Sequence, residues 1–208
     1  SIFTGYDEIQ SKVRITKFRE KDDHHEIVLD KTPFYAESGG QIGDSGHLEA
    51  DGFNFKVEDV QKLGEEYIHL GQKTSVCIEN VQNVKAKINE SRRNAIRRNH
   101  TATHLLHQAL KEILGDHVQQ AGSLVGEELL RFDVTHYEQI TSEQIVNIDN
   151  LVNSIILNNE EIKTEILPYN IEEDEKIIDL SAKFFGYDFF TRRDTIAFWE
   201  NLPTPANY

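Results

Sequence analysis

The chain has 208 residues with 38% hydrophobic and 28% charged content, enough apolar surface for one large globular domain or two small ones. Its 36 acidic side chains against 22 basic ones give a formal charge of −14, which argues against a free nucleic-acid binder unless the basic residues are gathered in one place. A single cysteine, Cys77, excludes an internal disulfide, no apolar run approaches the roughly 20 residues of a membrane span, and the amino terminus lacks a targeting pattern, so the cytoplasm is the expected compartment. Methionine is absent even from position 1, and Ser1 is expected not to be a natural start.

Residues 1–88 read as strands. Val13, Ile15 and Phe18 mark the first, Glu26-Ile27-Val28-Leu29 the second, and His47-Leu48-Glu49-Ala50 the third. Asp51-Gly52 tolerates the positive φ of a two-residue hairpin turn and leads into the alternating Phe53-Asn54-Phe55-Lys56-Val57. Tyr67-Ile68-His69-Leu70 and a run at 84–88 complete the set, which predicts a small β-barrel uninterrupted by helical periodicity.

At Asn89 the period changes. Asn89 is a natural N-cap, Ala95, Ile96, Ala102, Leu105, Leu106, Ala109, Leu110, Ile113 and Leu114 follow a helical stripe, and Gly115 is a natural stop. Segments 119–125 and 129–134 read as strands paired across Gly126-Glu127-Glu128, and Thr141-x-x-Gln144 is a capping box that opens a helix towards Asn158. A strand at 164–167 and a charged helix from about Asn170 are expected next, followed by an aromatic stretch over 184–199 with no clear period. The fold class is α+β: a barrel over 1–88, then an α+β domain over 89–208 that is incomplete or divergent after about 175.

Three segments carry candidate chemistry. His100 and His104, four residues apart, lie one above the other on the long helix, which is half of a zinc site. The same spacing also suits two solvent-facing or hydrogen-bonded histidines. His107 falls nearer the apolar stripe and reads as structural. Upstream, Lys85, Lys87, Arg92, Arg93, Arg97 and Arg98 cluster against the single acid Glu90. They form either a phosphate-contacting edge or bridges to the abundant carboxylates. The third segment, Lys31 to Gly46, carries four glycines that bring backbone amides close to a ligand or serve barrel turns. It is neither a Walker loop nor a dinucleotide fingerprint.

Thr32-Pro33-Phe34-Tyr35-Ala36-Glu37-Ser38-Gly39-Gly40-Gln41-Ile42-Gly43-Asp44, then Arg98-Asn99-His100-Thr101-Ala102-Thr103-His104-Leu105-Leu106-His107, then His117-Val118-Gln119-Gln120-Ala121-Gly122-Ser123-Leu124-Val125 and Leu130-Arg131-Phe132-Asp133 resemble, in order and spacing, the editing region of alanyl-tRNA synthetases over about residues 3–170. The resemblance implies a small barrel followed by the editing fold shared with threonyl-tRNA synthetase and free-standing alanyl editing proteins. It also implies hydrolysis of the ester of tRNA(Ala) mischarged with serine or glycine. By resemblance His100 and His104 are zinc ligands and Thr32 faces the amino-acid side chain. Gln120 lines the same pocket, and Gly39, Gly40 and Gln41 form its floor. From charge alone, Arg92, Arg93, Arg97 and Arg98 are candidates for the tRNA acceptor end.

The departures matter too. Such proteins normally complete the zinc site with a later Cys-Gly-Gly-Thr-His segment, which is absent here, and Cys77 precedes the helix. Asp133 and His136 are left as candidate supplementary ligands. Leu180-Ser181-Ala182-Lys183-Phe184-Phe185-Gly186-Tyr187-Asp188 is only an echo of the expected later run. No ATP-binding motif occurs, so ligase activity would belong only to a longer parent chain, and if this chain is a fragment the rest of that synthetase is an expected partner. Alternatives to an editing hydrolase are a catalytically incomplete module that binds the tRNA acceptor, and a structural fragment of a synthetase.

Overall fold

The computed structural model describes residues 1–72, 81–159, 181–184 and 187–190. It divides into two compact units, Ser1–Ile96 and Arg97–Tyr208. In the first, β1 (Ile2–Phe3) pairs in parallel with β4 (Lys31–Thr32). β2 (Gln10–Glu20), β3 (His25–Leu29), β5 (Gly46–Ala50), β6 (Phe53–Leu63), β7 (Glu66–Gly71) and β8 (Asn83–Ile88) close a barrel in the order β2-β3-β7-β6-β5-β8.

Period-two alternation builds the interior of this barrel. Ser11 and Val13 point inward from β2, Phe53, Phe55 and Val57 from β6, and Val84, Ala86 and Ile88 from β8, while the intervening polar residues face out. A register shift between Val57 and Asp59 inserts one residue, so that Val60 also returns to the core. Ile27, Leu29, Phe34, Leu48 and Phe55 are at most 1% exposed, and each contributes roughly 1.5–3 kcal/mol by leaving water. The Asp51-Gly52 turn forms as the sequence predicts, with Gly52 at φ 70°. The short β1–β4 pair was not legible, because a two-residue strand has no period to read.

The helix α1 (Glu90–Leu114) starts at Asn89, whose Oδ1 accepts from Arg92 N at 3.1 Å, and stops at Gly115, φ 114°. Its opening turns belong to the first unit and the remainder to the second. There β9 (Gln120–Val125) and β10 (Leu130–Val134) pair antiparallel, and α2 (Ser142–Asn158) follows. Ala109 and Leu110 of α1 pack with Val118 and with Ile148 of α2, and Phe132 and Val134 join from the hairpin. The predicted capping box is present: Thr141 Oγ1 accepts from Gln144 N at 3.2 Å, and Gln144 Oε1 accepts from Thr141 N at 2.8 Å. Thr141→Ala is therefore expected to cost about 1 kcal/mol, read as a lowered urea midpoint of the second unit at unchanged m-value.

Chain positions 181–184 and 187–190 form a further antiparallel pair, β11 and β12. Cys77, the strand expected at 164–167, the helix from about Asn170 and most of the 184–199 stretch lie outside the described residues. No helix among the described residues is long and apolar enough to cross a membrane.

Candidate functional site

The glycine-bearing segment of the first unit is a built structure. Ser38 and Gln41 exchange both backbone hydrogen bonds, at 3.1 and 2.9 Å, around Gly39 (φ 59°) and Gly40 (φ 86°), a turn that needs left-handed residues at both central positions. Gly39 is exposed at the tip, and Gln41 is buried. Glu37 N donates to Val60 O at 2.8 Å, and a Cβ on Gly43 would stand 2.4 Å from Asp59 Oδ1, so the segment lies directly on the β6 bulge.

Thr32 is fully buried. His69 Nδ1 lies 2.9 Å from Ile27 O, a contact that requires the proton on Nδ1, so Nε2 accepts from the Thr32 hydroxyl at 2.7 Å. Thr32 Oγ1 in turn accepts from Phe34 N at 3.1 Å. Burial holds His69 neutral, with its pKa lowered to about 4.

The expected arginine cluster separates. Arg93 is 4% exposed and turned inward: Nε donates to both oxygens of Asp44 at 3.0 Å, Nη1 to Gly5 O at 2.8 Å and Nη2 to Pro33 O at 2.9 Å. Asp44 also accepts from Tyr35 N at 2.8 Å. Arg93 therefore departs from the expectation of a phosphate contact: its guanidinium is enclosed and committed to the glycine-bearing segment. Arg92 and Arg97 are half-buried, and Arg98 is exposed.

In the second unit, α1 presents His100 and His104 as stacked rings with centroids 5.2 Å apart and planes 5° from parallel. Desolvation lowers the His100 pKa to about 4. Desolvation, followed by the neighbouring His100 and His107, lowers that of His104 to about 3. Both imidazoles are thus neutral at pH 7, the form that ligates metals. Imidazole lone pairs lie in the ring plane, and two parallel stacked planes do not meet, so a shared ion requires one ring to turn. Among the described residues no group of three or more His, Cys, Asp or Glu side chains is placed to hold a metal, so Asp133 and His136 do not complete this pair. The pair alone fits half a zinc site.

Around the pair, Thr101 and Thr103 donate to the carbonyls of Arg97 and Asn99, at 3.1 and 2.8 Å. Asn99 Nδ2 reaches Gly126 O at 2.8 Å and Glu127 O at 3.1 Å, fixing the β9–β10 turn against the helix. Gln120 is exposed at the start of β9, and its Nε2 donates to Ser123 Oγ at 3.3 Å. Sequence reasoning missed a second imidazole pair, His117 Nε2 and His136 Nδ1 at 2.9 Å. Tyr137 stacks on His117 beside a cavity of about 290 Å³. Its members are 19 residues apart, so spacing carried no signal.

Comparison with known proteins adds the decisive observation. Residues 2–92 match the family model of class II (A) tRNA synthetases. The chain is 45% identical over 201 residues to an alanine–tRNA ligase of Thermoanaerobacter sp., covering 92% of this chain and 22% of that protein. The chain is related to the alanyl-tRNA synthetases. The alanine–tRNA ligase of Chromohalobacter salexigens is 44% identical over 173 residues, 78% of this chain and 20% of its own length. That of Fusobacterium nucleatum is 46% identical over 176 residues, 84% and 20%. The chain thus spans about a fifth of the length of these alanyl-tRNA synthetases. The matched region runs past the family model's boundary through α1, so the histidine pair lies within the part shared with the Thermoanaerobacter relative, which covers 92% of the chain.

Proposed function

We propose that this chain is the editing portion of an alanyl-tRNA synthetase, a small barrel followed by a truncated α+β editing domain, and that it hydrolyses the aminoacyl ester of tRNA(Ala) mischarged with serine or glycine. The observation that carries this reading is the pair of imidazoles, His100 and His104, stacked on successive turns of α1 inside the region shared with alanine–tRNA ligases, and burial favours their neutral form. Groups with pKa values of about 4 and 3 are weak bases at pH 7, so they act as lone-pair donors that position water or a ligand, not as proton stores. Water adds to the ester carbonyl. The tetrahedral oxyanion then collapses and expels the terminal ribose oxygen, which takes up the proton, leaving free amino acid and tRNA.

Within the second unit Arg97 and Arg98 are assigned to the acceptor end and Gln120 to the amino acid; within the first, Arg92 is assigned to the acceptor end and Gly39, Gly40 and Gln41 to substrate contact. Thr32, which the resemblance sets against the amino-acid side chain, is enclosed with its hydroxyl given to His69 Nε2, so its part is to hold in place the segment that carries Gly39, Gly40 and Gln41. His100 and His104 would supply two of the ligands of a zinc ion, which when bound would polarise the carbonyl or water. It needs ligands beyond His100 and His104, from outside the described residues or from the rest of the synthetase.

The parallel rings and the two-ligand set favour a second reading, a module that grips the acceptor end without cleaving the ester. One experiment separates the two: hydrolysis of serine-charged tRNA(Ala) by wild type and His104→Ala, with tRNA affinity and zinc content after dialysis measured alongside. Editing predicts a loss of about a hundredfold or more in rate at unchanged tRNA affinity. Wild-type protein that binds tRNA and leaves the ester intact establishes the binding module. Metal-free protein that still cleaves removes the role of zinc.

A further inference from the structure

Strand pairing gathers basic side chains that are far apart in sequence. In the β2–β8 register Lys12 stands directly opposite Lys85, Gln10 opposite Lys87 and Arg14 opposite Asn83. All six are exposed on the outer face of the barrel, since Ser11, Val13, Val84 and Ala86 between them point inward. Directly opposed side chains have Cβ atoms about 4.5–5.5 Å apart, and like charges there destabilise a sheet. In a chain with 36 acidic residues a carboxylate partner would be easy to place. Yet among the described residues no ion pair within 4 Å joins Lys12, Arg14, Lys85 or Lys87 to a carboxylate, although the charge of Arg14 acts on Asp30 and Lys85 faces Glu49 across the strands, whereas Lys17, Arg19 and Lys56 on the same barrel each meet a glutamate directly.

The groove between these strands is a shallow cavity of about 550 Å³ lined by Lys12, Arg14, Asn83 and Lys85, with Asp30 as its acid. Asp30 is turned to the backbone: its Oδ1 accepts from Arg14 N at 2.9 Å and Lys31 N at 2.8 Å. Glu49, across from Lys85 on β5, bounds the patch on the other side. Residues two apart on a strand are separated by roughly 6.6 Å, so Lys12 and Arg14 on one strand and Lys85 and Lys87 on the next form two short cationic rows. Gln10 and Asn83 supply neutral donors at their ends. Cations flanked by amides, with no base-reading aromatic among them, suit phosphate oxygens.

We propose that the outer face of β2 and β8 is a docking surface for the phosphodiester backbone of RNA, held by Lys12, Arg14, Lys85 and Lys87. The readout of this surface is affinity, not ester cleavage, so its failure and the failure of the hydrolytic reading are distinguishable.

The test is binding of a fluorescently labelled tRNA transcript to the whole chain, titrated across salt concentrations. Lys12→Glu/Lys85→Glu is expected to weaken binding by about tenfold or more. Lys12→Gln/Lys85→Gln is expected to weaken it less and to reduce the slope of log affinity against log salt by about 2. A charge-matched control, Lys56→Glu/Lys62→Glu, is expected to retain affinity within about twofold, with circular dichroism confirming folding of all variants. Equal losses in both reversed pairs would reduce the effect to net charge and overturn the proposal. Unchanged RNA affinity with altered sedimentation would assign the face to an acidic protein surface and overturn it equally.

Discussion

Arg93→Ala is expected to destabilise the barrel unit by about 3–5 kcal/mol, because it leaves the Asp44 carboxylate, 1% exposed, without its counter-charge. The guanidinium also satisfies the carbonyls of Gly5 and Pro33, so truncation orphans buried acceptors on two further segments. The melting temperature should fall by more than about 10 °C for a unit of this size. Replacing a buried ion pair by apolar residues of similar volume is often neutral. Here Arg93→Met/Asp44→Leu should stay destabilised, since Gly5 O, Pro33 O and Tyr35 N would each lose a partner. A double variant as stable as wild type would show that the pair carries no net anchoring. Because Arg93 joins the first turns of α1 to the glycine-bearing segment, the variant should also loosen residues 33–44, read as faster amide exchange at Tyr35 and Asp44.

The same arginine shows where sequence reading stops. Arg92-Arg93 and Arg97-Arg98 look alike as dipeptides, and local charge makes all four phosphate candidates. Which one turns inward depends on Asp44, 49 residues away, and on two carbonyls with no sequence signature. The basic face of β2 and β8 was hidden for the same reason: Lys12 and Lys85 become neighbours only through barrel register. By contrast, α1, its Asn89 cap, the Gly115 stop and the Thr141 capping box are local, and all were legible from period and punctuation. The histidine spacing gave the face of the helix correctly. The ring orientation, set by χ angles and packing, was beyond it.

Acid should unfold the protein through its histidines before its carboxylates titrate. Burial lowers the folded-state pKa of His69 and His100 to about 4 and of His104 to about 3, against about 6.5 in the unfolded chain. The unfolded state therefore binds more protons than the folded one throughout the interval between those values. Stability is complete above about pH 7 and falls as pH drops from about 6.5 towards 4, at up to roughly 1.4 kcal/mol per pH unit for each histidine. Asp30, whose pKa is lowered, has its loss of stability below the ordinary carboxylate range, so the window from about pH 6.5 to 5 isolates the imidazoles. Urea midpoints measured across that window should decline for both units. His104→Gln should flatten the decline in the second unit and His69→Gln in the first, because a neutral amide takes up no proton. Imidazole chemical shifts should remain those of neutral rings down to the pH at which each unit unfolds. A bound metal would steepen the decline in the second unit alone, since protons compete for His100 and His104, and chelator would restore the metal-free slope. A midpoint flat from pH 6.5 to 5 would show that water reaches these rings, and would remove the desolvation on which both their neutrality and their proposed role as lone-pair donors depend.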